Sequence, residues 1–231
     1  MDWQTPERTE ARTMLVAEAT RAFMSRVYGW MFFGLAVTGV VAVLVASSEP
    51  AFALVAGNYK LFAIAILAFS IGVGMAVPSL SPGAAGVLFV AYAALLGAFL
   101  SVIFAIYELG SISRVFFLTG GTFGALSLYG TVTKKDLDAW KTFLFMGLFG
   151  VVGASLINLF WPSSMLSFVA ACAGVIVFSG LAAYDTQTLR RFGAQAEAEG
   201  HRSAALTGAL QLYLDFINLF LSLLRLFGSR R

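Results

Sequence analysis

The sequence predicts an all-α integral membrane protein with seven transmembrane helices, and three observations predict it. Of 231 residues, 59% are hydrophobic and only 12% charged, which is half the charge of an average soluble domain. The mean hydropathy is +0.86. The charge-free stretches are long and separated by short polar turns, and a chain of this length fits six to eight spans of about 20 residues. Two parts are expected: a polar N-terminal segment, 1–26, and a seven-helix membrane domain, 27–231.

The spans follow from the charges. Residues 27–48 are uncharged and form the first. Residues 61–107 are uncharged for 47 residues, enough for a second and a third, with Pro78 and Pro82 marking the turn between them. Residues 115–133 give the fourth. Residues 142–184 are uncharged for 43 residues and divide at Trp161-Pro162 into the fifth and sixth. Residues 203–224 form the seventh, interrupted by one charge, Asp215. All five prolines fall in tails or turns, as continuous spanning helices require.

Orientation follows from lysine and arginine. With the N-terminus inside, the inner face carries Arg8, Arg12, Arg21, Arg26, Lys134, Lys135, Lys141, Arg190, Arg191 and Arg202, ten against five outside. The five are Lys60, Arg114, Arg225, Arg230 and Arg231. An inner N-terminus and an outer C-terminus are therefore expected, unless the seventh segment re-enters and returns the basic tail inside. The first apolar run is too long for a cleavable signal peptide. Gly120-x-x-x-Gly124 and the series Gly147, Gly150, Gly153 place small residues where helices can approach closely.

Several function classes fall away. The net charge of +3 sits beside apolar runs, where it serves topology, so nucleic acid is not an expected partner. His201 is the single histidine and lies in a charged loop. That argues against a zinc hydrolase, which needs several ligands together, and against a serine–histidine hydrolase at membrane depth. No P-loop or dinucleotide-binding glycine pattern occurs, and no cofactor is expected. Cys172, alone, makes no intramolecular disulfide. Glu108 reads as a solvated loop carboxylate at the outer mouth, and Asn158 with Ser155 as interhelical bonding.

The strongest local signal lies in the seventh span. Gly208, Gln211, Asp215, Asn218, Ser222 and Arg225 recur every three or four residues and so share one side of a helix. Such a polar seam faces the bundle interior or a wet cavity, because lipid cannot solvate it. It is either a path or gate, or a hydrogen-bonded packing seam. Asp215 is its centre, and a carboxylate at the bilayer centre costs at least ~2.5 kcal/mol, so it needs a partner, a cation or a proton. Asp185, which follows the sixth span, is the natural partner. Counting from Arg190 places Asp185 roughly 7 Å deep, and counting from Gly208 places Asp215 roughly 10 Å deep. The depths disagree by roughly 10 Å if the seventh span instead enters near Arg202. Two carboxyls meeting there would share one proton, which makes a pH-sensitive latch.

Residues 212–228, Leu-Tyr-Leu-Asp-Phe-Ile-Asn-Leu-Phe-Leu-Ser-Leu-Leu-Arg-Leu-Phe-Gly, resemble the signature of the Bax inhibitor-1 (transmembrane Bax inhibitor motif) family. Gly180-Leu-Ala-Ala-Tyr-Asp-Thr-Gln and Lys134-Lys135-Asp136-Leu137 resemble it too, and the layout of spans agrees along nearly the whole chain. The resemblance, to a bacterial-type member, implies a bundle whose last helix is central. It implies a pH-sensitive calcium leak with Asp185 and Asp215 as the gating pair and transient calcium ligands. It further implies links to suppression of cell death in eukaryotes and, in bacteria, to control of a membrane-bound AAA protease. One feature departs from the family's pattern. Residues 61–79 carry no charge, so the arginine latch of the leak-forming relatives is missing.

The leading expectation is a calcium or cation leak gated by the aspartates, lined by Gln211, Asn218, Ser222 and Arg225, in a bacterial inner membrane with a cytoplasmic N-terminus. Carboxylate oxygens suit a hard divalent ion. The rival is a regulatory protein that binds a membrane protease or another membrane complex, with segment 1–26 as its handle. An enzyme is not expected. Tyr184-Asp185 matches half the signature of intramembrane aspartyl proteases, but Asp215 follows Leu-Tyr-Leu rather than Gly-x-Gly.

Overall fold

A backbone without water must satisfy its own hydrogen bonds, so each apolar run should close on itself as a helix. The computed structural model describes residues 6–201 and 203–231, the side chains of residues 6–9 and 11 excepted. Residues 1–5 of the expected polar segment therefore lie outside the described residues, as do Arg202 and the Arg8 side chain from the basic count. The helices are α1 (Pro6–Ser47), α2 (Glu49–Gly57), α3 (Tyr59–Ala76), α4 (Pro82–Leu100), α5 (Ile103–Ile106), α6 (Leu109–Val132), α7 (Lys141–Phe160), α8 (Ser164–Thr188), α9 (Ala194–Ala198) and α10 (Ala204–Phe227). Short 3₁₀ turns lie at Val77–Ser79 and Leu137–Trp140, and one π-helical turn, Leu189–Gly193, carries α8 into α9. No strand occurs among the described residues. Seven of the helices, α1, α3, α4, α6, α7, α8 and α10, are long and apolar enough to cross a membrane. This is a membrane protein.

Local chemistry explains the breaks. Pro82 opens α4 behind Ser81, whose hydroxyl accepts the Ala84 N–H, and Ser163 caps α8 by accepting the Leu166 N–H. Proline also stands in the first turn of α2, a short helix absent from the charge-based reading. Residues 6–26 are helical and run unbroken into the first span.

Side-chain contacts sort the connections onto two faces. On one, Arg26 pairs with Glu197, Ser203 donates to the Leu80 carbonyl and Arg191 bonds Asp136. On the other, Glu108 N–H donates to Ser229 O at 3.1 Å and Arg231 N–H to Ile106 O at 3.0 Å, while Lys60 stands over the Phe160 ring. The seventh segment thus starts on the first face and ends on the second. At 24 residues it is long and apolar enough to cross a membrane.

α10 packs against α8, α1, α6 and α4, and α8 also packs on α6 and α7. Fifteen of the 24 residues of α10 are buried. The closest helix crossings lie where a side chain would not fit. A Cβ at Gly130 on α6 would strike the Ala183 carbonyl of α8, and one at Gly174 on α8 would strike Ser222 Oγ of α10. The sequence signal pointed elsewhere. Gly147 does pack on Val177, but Gly120, Gly124, Gly150 and Gly153 have nothing within 4 Å. Their spacing marks one helix side, yet no neighbour packs closely on it at these positions.

Candidate functional site

Asp215 sits midway along α10 on the side that packs against α8, flanked by Gly208 and Ser222 one helical repeat away on either side. Gly208 lies against Leu189 and Val27. The Asp215 carboxyl is 5% exposed, and its Oδ2 meets no hydrogen-bond donor among the described residues. Asp185, half-buried on α8, lies close enough for the two carboxyl groups to interact. Neither forms an ion pair with a described lysine or arginine; the described pairs are Arg26–Glu197 and Arg191–Asp136. A buried carboxylate oxygen without a donor is costly, and a proton between the two acids is the simplest way to satisfy both.

Helix length compares the two depths. Thirteen residues separate Asp185 from the end of the helical run at Ala198, and eleven separate Asp215 from Ala204. At a rise of about 1.5 Å per residue the two depths agree within about 3 Å. Charge counting ended the sixth span at residue 184, but the helix continues through Arg190 and Arg191 as a π turn. A π turn inside a helix is a rare element that recurs at functional sites.

The polar seam divides. Gln211 and Arg225 are exposed and Asn218 half-buried, on a strip of α10 shared with half-buried Leu214 and Leu221. Asp215 and Ser222 turn into the packing. Asn218 and Ser222 spend their donors within the helix, Nδ2 on the Leu214 carbonyl at 2.8 Å and Oγ on the Asn218 carbonyl at 2.7 Å. At the far end Arg225 approaches Tyr59 of α3.

The residues that follow Asp185 knit it to the rest of the bundle. Thr186 donates to Ser127 Oγ at 3.3 Å, and the Tyr28 hydroxyl stands 3.5 Å from Thr186 Oγ1. Gln187 clamps the 135–137 turn with both ends of its amide. Its Nε2 donates to the Lys135 carbonyl at 2.9 Å, and its Oε1 accepts the Leu137 N–H at 3.0 Å. Asp136 accepts from the Asp138 N–H and from Arg191, and those two bonds, in that order, hold its carboxyl below the usual range. The stretches 180–187 and 134–137, separate in sequence, are therefore one interlocked structure. A second polar knot joins α1, α4 and α10, where Tyr213 donates to Thr38 at 2.6 Å and Thr38 to the Ala93 carbonyl at 3.0 Å.

A family model described as "Inhibitor of apoptosis-promoting Bax1" matches residues 20–231, a range that holds all of these residues. The chain belongs to the Bax inhibitor-1 family. Among its relatives is the "Inner membrane protein YbhL" of Escherichia coli, 45% identical over 218 residues that cover 91% of this chain and 93% of that one. An uncharacterized protein of Deinococcus radiodurans is 42% identical, covering 96% of this chain and 95% of its own length. One from Rickettsia prowazekii is 38% identical, with 100% of this chain and 99% of that chain covered.

Sequence reading of this Bax inhibitor-1 member missed Tyr28, Thr38, Ser127 and Tyr213. Single hydroxyls inside apolar helices give no periodic signal. Thr186 and Gln187 stood beside Asp185 in the quoted motif but had no assigned task. Among the described residues no group of three or more histidine, cysteine, aspartate or glutamate side chains could hold a metal ion. Asp185 and Asp215 supply at most four of the six to eight oxygens of a calcium shell.

Proposed function

We propose that this protein is a pH-sensitive cation leak, with calcium as its ion, in a bacterial inner membrane with its N-terminus cytoplasmic, and that Asp185 and Asp215 are its gate. The observation that carries the reading is the meeting of two carboxyls on α8 and α10, with one buried oxygen undonated and no described basic side chain paired to either. At low pH a shared proton bridges the two helices and the path is closed. As pH rises the proton leaves, two anions face each other in a low dielectric, and they either part the helices or take a cation. The contact of Gly174 with Ser222 holds the rest of the α8–α10 interface together meanwhile. Gln211, Asn218 and Arg225, on the open strip, line the path, and calcium visits the two aspartates in transit without a standing coordination shell.

The test is calcium flux into proteoliposomes across a pH series. The wild type should conduct more as pH rises, while Asp185→Asn, Asp215→Asn and the double variant should each give a flat profile. The double variant should match the singles, because groups acting as a unit are not additive. A wild-type pH profile that survives both substitutions would sink the reading.

A further inference from the structure

The face that carries the N-terminal half of α1 also carries an unassigned cavity of about 320 Å³, with Arg21, Arg190 and Arg191 around it. Arg21 has no ion-pair partner among the described residues. Arg190 donates to the Thr131 carbonyl, and Arg191 shares Asp136. The acidic groups nearby are Asp136 itself and Glu18, one turn before Arg21 on α1. A second cavity of about 320 Å³ lies beneath, between α1 and α6. Its walls include Tyr28, Phe32, Phe123 and Phe216, and its notch is Gly120 with Gly124. Both cavities share Thr131. From Thr131 to Gly120 the groove follows α6 for eleven residues, about 16 Å, which is about half the ~30 Å hydrocarbon thickness.

We propose that this α1–α6 groove binds an anionic phospholipid from the leaflet on that face. Its phosphate rests among Arg21, Arg190 and Arg191, and an acyl chain lies in the glycine notch. Charge decides the occupant. Basic pockets between helices at the membrane surface suit anionic headgroups, and the groove changes from basic to apolar at the level where a lipid does. It is one leaflet deep, and a Cβ at either of its glycines would meet no atom of this chain within 4 Å. A second copy of the protein would need the glycine notch but would leave three arginines facing its own basic α1.

The test measures lipid binding to the full chain in detergent by native mass spectrometry, with phosphatidylglycerol and phosphatidylcholine as probes. Phosphatidylglycerol should bind preferentially. Arg21→Gln should weaken it about fivefold, the worth of one basic residue near a lipid surface, and leave phosphatidylcholine unchanged, whereas Arg21→Lys should keep most of the preference. Gly124→Leu should fill the notch and weaken both lipids. Gly120→Leu, one turn deeper and equally open, serves if the first does not fold. Equal binding of the two lipids, or indifference to Arg21→Gln, overturns the proposal. So does competition by inorganic phosphate that Gly124→Leu leaves intact, which would mark a free-anion pocket. A dimer that Gly124→Leu turns into monomers, with phosphatidylglycerol binding unchanged, would assign the notch to a second copy.

Discussion

α10 and α7 are both spans of at least 20 residues, and they are built for opposite surroundings. α10 buries fifteen residues, α7 two, Leu144 and Val151. α7 is uncharged after Lys141 and turns phenylalanines such as Phe143 and Phe149 outward, as lipid permits. α10 packs against four helices and carries the aspartate, and α8 meets it through glycine at Gly174. In lipid, apolar surface gives no driving force for helix association, so close packing and polar contacts must supply it. At the α8–α10 crossing a small residue and polar side chains meet, while α7 shows its bulk to the outside.

The largest test of that contrast is steric. Gly174→Leu would force α8 away from Ser222 of α10 and should destabilise by about 1–3 kcal/mol or more. Gly150→Leu, on α7 with nothing within 4 Å, should stay within about 0.5 kcal/mol. Unfolding in detergent compares them, and similar losses would erase the contrast. Next comes Tyr213→Phe, which removes the 2.6 Å bond to Thr38 and should cost about 1 kcal/mol. Phe149→Leu, outside, should cost far less.

A labelling experiment sharpens the picture within α10 itself. In a Cys172→Ala background, cysteine at Gln211 should react readily with an aqueous thiol reagent, cysteine at Asn218 more slowly, and cysteine at Ser222 hardly at all. Equal reaction at Asn218 and Ser222 would mean that the seam opens as one wet surface. The smallest effect belongs to Asp136 at the membrane surface. Its folded-state pKa is depressed, first by the Asp138 N–H and then by Arg191. Its contribution is therefore present above the unfolded value of about 3.9 and lost as pH falls through the folded one. Thermal unfolding of Asp136→Asn should fall slightly below wild type at neutral pH and converge with it in acid; a constant gap would count against the bond.

Uncharged runs and proline positions were enough to place seven spans, because a hydrocarbon solvent leaves the chain almost no alternative to helix. The 3/4 spacing placed Asp215 on a distinct helix side, and the need of a buried acid for a partner pointed to Asp185. Composition also set the class: a chain with 12% charge has no way to cover a water-soluble surface. What the sequence left open was decided between helices. How the depths of Asp185 and Asp215 compare depended on how far the helical run continues past Arg190, and a basic pair there reads as an end although the run goes on through α9. Which glycines touch a neighbour depended on where helices cross. Gly130 and Gly174 carry crossings without any repeat to announce them, while Gly120-x-x-x-Gly124 carries the repeat and has no neighbour within 4 Å. Periodicity gives the side of one helix; only the packed bundle says what that side faces.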